Sequence, residues 1–225
     1  MEADAIASAW NDVTARIARA APRGGVMLVA VSKTHPPEAI RALAACGARA
    51  FGENYVQEAL GKQTALADLA LEWHAIGPLQ SNKAREVAQH FDWLQTLDRA
   101  KLIEPLARHR DAAGAPLNVL IQVNIDDEAS KSGCAPGDVR ELADLVAAHP
   151  TLRLRGLMAI PAPLDFARRR EAFRRMRALF EALASEHAAV DTLSMGMSDD
   201  FELAIAEGAT MVRVGSALFG ARRPA

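Results

Sequence analysis

Eight short apolar runs, most rich in β-branched or aromatic residues, recur along the 225-residue chain, and segments with apolar residues at helical spacing separate them. The runs are MLVAVS (27–32), ARAFG (48–52), EWHAIG (72–77), DWLQTL (92–97), NVLIQVNI (118–125), RLRGLMAI (153–160), VDTLSM (190–195) and TMVRVG (210–215). Strands joined through helices run parallel, and a parallel sheet needs cover on both faces. Eight such units in a chain of this size predict a single (β/α)8 TIM barrel, one domain over residues 1–225, with an extra helix before the first strand. A doubly wound open sheet uses the same alternation and is the alternative.

The intervening helices are expected at 36–46, 54–69, 81–90, 99–113, 138–149 and 165–188, and the leading one at 2–20 with Ile6, Trp10, Val13 and Ile17 on one side. In the 165–188 segment Phe173, Met176, Phe180 and Leu183 form one stripe, and Arg168, Arg169, Arg170, Arg174 and Arg175 crowd the rest, which reads as a solvated face. Half the residues are hydrophobic, enough for a large core. Twenty-six Lys and Arg against twenty-eight Asp and Glu give a net charge of −2, so neither nucleic acid nor a membrane is expected as a partner. MEADAIASAW has neither the basic start nor the apolar core of a signal peptide, and a cytoplasmic monomer is expected. Cys46 and Cys134 have no metal-ligand spacing and read as reduced thiols; no metal site is expected.

In a barrel of this kind function belongs to the loops after the strands. The polar clusters fall there: SKTH after the first run, GENY after the second, SMGMSDD at the seventh and RVGSALFG at the eighth. Lys33 closes an apolar strand. Desolvation there favours a neutral amine, which condenses with an aldehyde. Ser194, Gly196, Ser198, Gly215 and Ser216 bring small residues and hydroxyls to the seventh and eighth strand ends, the usual phosphate site of such barrels. Asp199 or Asp200 can cap the helix that follows. A closed barrel sets strand 1 beside strand 8, so one ligand with an aldehyde and a phosphate satisfies both ends: pyridoxal 5′-phosphate (PLP). Arg213, two residues before Gly215, points to the same side of its strand and is expected to meet the phosphate, the pyridine nitrogen or, structurally, Glu53 or an aspartate. An arginine at that nitrogen keeps it unprotonated and makes the ring a poorer electron sink.

AVSKTHP, FGENYVQEA, WHAIGPLQSNKAR, IQVNIDDEASKSG, LRGLMAIP and LSMGMSDDFELAIAEGATMVRVGSALFG together resemble the YggS/PROSC family of pyridoxal phosphate homeostasis proteins, from about residue 26 to residue 221. The resemblance implies a barrel like the N-terminal domain of alanine racemase, with PLP held as an aldimine of Lys33. It implies Ser194, Met195, Gly196, Met197, Ser198, Gly215 and Ser216 around the phosphate, Arg213 near the pyridine ring, and Asn54 and His74 on the ring side. Lys131 is a candidate second basic group at the mouth. The expected role is intracellular PLP homeostasis, buffering the cofactor and passing it to PLP-dependent apoenzymes. Racemases of this kind take their second base from a tyrosine outside the lysine-bearing barrel; here the one tyrosine, Tyr55, reads as a packing residue. The alternatives are a PLP-dependent racemase or lyase with Lys33 as base, and an aldolase whose lysine meets a sugar phosphate.

Overall fold

The computed structural model describes residues 3–126, 132–162 and 165–220. Lys131 lies outside the described residues. The order is α1 (Ala3–Ala20), β1 (Met27–Val31), α2 (Pro37–Ala45), β2 (Ala50–Glu53), α3 (Val56–Ala65), β3 (Glu72–Ala75), α4 (Ala84–His90), β4 (Trp93–Leu97), α5 (Ile103–His109), β5 (Leu117–Gln122), α6 (Val139–Ala147), β6 (Leu152–Met158), α7 (Phe166–Glu186), β7 (Thr192–Ser194), α8 (Phe201–Ala206), β8 (Met211–Val214) and α9 (Ser216–Phe219). All eight strands pair parallel in sequence order, and β8 returns to β1 with Val29 opposite Arg213, so the sheet closes into a barrel and the open-sheet alternative falls away.

Alternation along each strand divides the core in two. Val29, Ala50, Trp93, Leu120, Met158 and Met211 point inward and fill the barrel. Outward-facing residues such as Ala30, Phe51, Leu94, Val119 and Val212 meet the buried stripes of the helices. The last helix, α9, has only four residues, too few to cover the outer faces of β8 and β1. The leading helix does that work: α1 packs against α2, α8 and α9 and buries Ile6, Val13 and Ile17. The extra helix is therefore the missing member of the outer ring.

Expected and observed elements differ mainly at their ends. The fifth strand stops at Gln122 because Val123 bridges to Cys134. The 99–113 segment shortens to a 3₁₀ turn at 100–102 followed by α5. The arginine face of α7 is only partly solvated: Arg169 pairs with Asp200, and Arg170 and Arg174 both reach Glu207, tying α7 to α8. Cys46 and Cys134 are unpaired, and burial pushes the Cys134 thiol up to about 12, so it stays protonated. Among the described residues no helix is long and apolar enough to cross a membrane, and no cluster could hold a metal.

Candidate functional site

The turn after β1 carries Lys33 in a locally unfavourable backbone. Thr34 has φ +66°, the one positive φ outside glycine among the described residues. Such a residue persists only when its surroundings hold it there. They do so through a buried ionic cluster on β2 and α3. Lys62 Nζ donates to the Ser32 carbonyl (2.8 Å), to Glu53 Oε1 (2.7 Å) and to Glu58 Oε1 (2.6 Å). Ser32 Oγ donates to Glu53 Oε1 and the Thr34 N–H to Glu58 Oε1, both at 2.6 Å. The residues on either side of Lys33 are thus anchored to one buried ammonium. Burial pushes the Glu53 carboxyl above the usual carboxylate range, against the lowering effects of Lys62 and Ser32.

The turns after β7 and β8 are built from the backbone. Gly196 has φ +94°, and a Cβ there would lie 2.6 Å from the Ala204 Cβ. Only glycine lets the chain reverse this close to α8. Asp200 Oδ1 accepts from the Met197 N–H at 2.7 Å, reaching back into the turn rather than capping α8. The Gly215 and Ala217 N–H groups both point at Ser198 Oγ, each at 3.3 Å. Two amide donors converging on one oxygen form a small anion cradle that the Ser198 hydroxyl fills weakly. A Cβ on Gly215 would come 3.3 Å from the Val31 Cβ, which keeps this turn against the end of β1.

Arg213 lies between the two turns, 3% exposed. Its Nη1 donates to Ser194 Oγ (2.6 Å) and its Nη2 to the Ala159 carbonyl (2.9 Å). The sequence left Glu53 open as a structural partner; Glu53 pairs with Lys62 instead. Burial lowers the Arg213 guanidinium to about 10, with Asp200 opposing, so it remains charged at neutral pH.

A cavity of about 230 Å³ joins these parts. Lys33, Met197, Ser198, Arg213, Gly215 and Ser216 line it, and His35, stacked on Phe219 at 4.6 Å, flanks it. Amine, guanidinium, hydroxyls and the Gly215 turn therefore face one volume, a donor set suited to a phosphorylated aldehyde. Ser194 is fully buried beneath Arg213, and Met195 packs in the core outside the barrel. Two expected residues are placed elsewhere. Asn54 lines a second cavity of about 530 Å³ between the loops after β2 and β3, together with Tyr55, and Tyr55 is 59% exposed. His74 is fully buried inside the barrel, bonded to Glu72 and Gln95 and stacked on Trp93.

The sequence reading missed the Lys62 cluster and Gln95. Glu58 and Lys62 are four apart on one helix, a visible ion-pair spacing, but nothing local connects them to Ser32 or Glu53. Gln95 had a signal: it is polar on a strand whose inward neighbour is Trp93.

The sequence profile of the family "Alanine racemase, N-terminal domain" matches residues 4–223. The chain is 56% identical over 216 residues to a protein of Pseudomonas aeruginosa named pyridoxal phosphate homeostasis protein, covering 93% of both chains. It is 52% identical to the Escherichia coli K12 protein of the same name, covering 96% of this chain and 97% of that one. The solved structure of PipY of Synechococcus elongatus with PLP bound superimposes with a TM-score of 0.85 at 39% identity, covering 96% of this chain and all of the other.

Proposed function

The chain belongs to the family of the alanine racemase N-terminal domain, among its pyridoxal phosphate homeostasis proteins, and we propose that its cavity holds PLP reversibly through Lys33. The observation that carries this reading is the meeting of Lys33, Arg213 and the Ser198 cradle in one cavity of about 230 Å³. Lys33 supplies the amine for the aldehyde. The Gly215 and Ala217 amides, with the Ser198 and Ser216 hydroxyls, receive the phosphate. Met197 and Gly196 shape that turn, Met195 anchors it in the core, and Ser194 acts through Arg213. When bound, the cofactor supplies an aldehyde carbon and a conjugated ring that withdraws electrons.

The same residues favour a holder over a catalyst. Arg213 has donors only and cannot give up a proton to the ring nitrogen, which keeps the ring a weak electron sink. A second acid or base is needed on the other face of an amino acid for racemisation. Tyr55 faces the other cavity and solvent. The protein works in the cytoplasm as a monomer, buffering the free aldehyde and handing PLP to apoenzymes.

The test is the visible absorption band of PLP-loaded protein. Lys33→Ala is expected to abolish the band and borohydride trapping while circular dichroism stays unchanged. Trapping at another lysine would overturn the assignment. Loss of the α-proton signals of L-amino acids in heavy water, dependent on Lys33, would make the protein an enzyme.

A further inference from the structure

The barrel interior holds a chain of polar side chains running from the floor of the cavity to the opposite mouth. Arg213 Nη1 is 2.6 Å from Ser194 Oγ, and Ser194 Oγ is 2.7 Å from Gln95 Oε1. Gln95 Nε2 is 2.9 Å from His74 Nδ1, and His74 Nε2 is 2.8 Å from Glu72 Oε1. Arg213, Ser194, Gln95 and His74 are buried, while the Glu72 side chain is 38% exposed. The chain draws on four strands, β8, β7, β4 and β3.

The order of protons along it follows from Arg213 and from the orientation of the Gln95 amide. A guanidinium only donates, so Ser194 Oγ accepts from Arg213, and with Gln95 Oε1 facing it the hydroxyl donates its single proton there. Gln95 accepts that hydrogen bond at its carbonyl oxygen, which turns its amide nitrogen towards His74. An amide nitrogen donates, so His74 Nδ1 accepts and the ring proton sits on Nε2, directed at Glu72. With Gln95 Oε1 towards Ser194, this assignment of donors satisfies all four contacts. The Glu72 carboxyl is held below the usual range, chiefly by the hydrogen bond from His74, as an acceptor at the end of such a chain should be.

We propose that Gln95 and His74 are positioning residues for Arg213: they turn the Ser194 lone pair towards the guanidinium and so decide which of its donors face the cavity. With Nη1 committed to Ser194 and Nη2 to Ala159, the remaining donors are presented in one fixed orientation. Were the Ser194 hydroxyl reversed, its proton would meet a guanidinium proton and Arg213 would be displaced. The ligand these donors serve is PLP on the reading given above.

Two measurements test this. The first is the 15N spectrum of histidine-labelled wild type, with the His74 signal assigned by its absence in His74→Gln. An unprotonated Nδ1 and a protonated Nε2 are expected; a protonated Nδ1 overturns the proposal. The second is PLP retention in Gln95→Glu and Gln95→Leu. Glutamate keeps an acceptor for Ser194 and should retain PLP within about twofold of wild type, whereas leucine should lose about tenfold, one hydrogen bond's worth. A residue that merely fills space predicts the reverse order, because leucine suits an apolar core and a buried carboxylate does not. That reverse order, or equal retention in the leucine variant, overturns the proposal. Should Gln95→Leu fail to fold, the glutamate variant and the histidine spectrum decide. Wild type that binds no PLP would sink the proposed function, and the histidine spectrum would still decide the proton order.

Discussion

The two walls of the cavity are held in place by opposite means. The wall after β1 depends on side chains brought from afar: Lys62, 30 residues from Ser32 in sequence, and Glu53, 21 residues from it. The wall after β7 and β8 depends on its own backbone: a glycine at φ +94°, two amides on one hydroxyl, and an aspartate bonded three residues back. On the function proposed for the cavity, the difference follows from what each wall must offer. A single amine needs one direction in space, and a strained turn fixed by buried charges provides it. A phosphate offers several acceptor oxygens, and backbone amides in tight turns can meet them directly.

Lys62→Met breaks the first wall and should have the largest effect. It leaves Glu53, already with Oε2 unpartnered, as a buried carboxylate without its cation, and stability in urea should fall by about 3–5 kcal/mol. The double variant Lys62→Met, Glu53→Leu should regain most of that loss. Gly196→Ala strikes the second wall. The strained φ and the clash with Ala204 should cost about 2–3 kcal/mol in the same assay, with PLP retention lost at least as sharply as stability. Ser198→Ala leaves the turn in place and removes one hydroxyl. Stability should change by about 0.5 kcal/mol, while PLP retention drops about fivefold, read from the bound absorption band.

The smallest effect distinguishes the walls by pH. Glu53 has a folded-state pKa raised by burial, so its contribution to stability is fully present below its unfolded pKa and is lost as pH rises through the folded one. The stability of wild type relative to Glu53→Gln should therefore rise as pH falls from neutral towards the ordinary carboxylate range. A difference that is flat with pH, or falls on acidification, would mean that Lys62 outweighs burial. Ser198→Ala, which removes no titratable group, should follow the wild-type pH curve throughout.

Legibility divides along the same line. The barrel was readable because parallel strands covered on both faces impose continuous apolar runs, and eight of them in alternation leave few topologies. The second wall was readable because its devices are local: Gly196, Ser198, Gly215 and Ser216 announce a tight turn by residue type alone. The depth of His74 was not readable, for a complementary reason. WHAIG indicates an inward-facing histidine on β3, but strand register sets the height of the ring within the barrel. That height puts it among Trp93, Gln95 and Glu72, below the cavity.

From the residues alone came the barrel as the first reading, with an open sheet beside it, and the placing of an amine on β1 near small residues on β7 and β8. These rest on periodicity, turn chemistry and chain order, which act over a few residues or follow from the count of strands. The folded chain was needed to reveal that α1 completes the outer ring, that Lys62 anchors the residues beside Lys33, and that Arg213 rests on Ser194 rather than on a carboxylate. Each of these is a contact between side chains far apart in sequence. Such contacts depend on register, on the height of each residue in the barrel and on the requirement that buried polar groups find partners, and none of these is visible before the strands close.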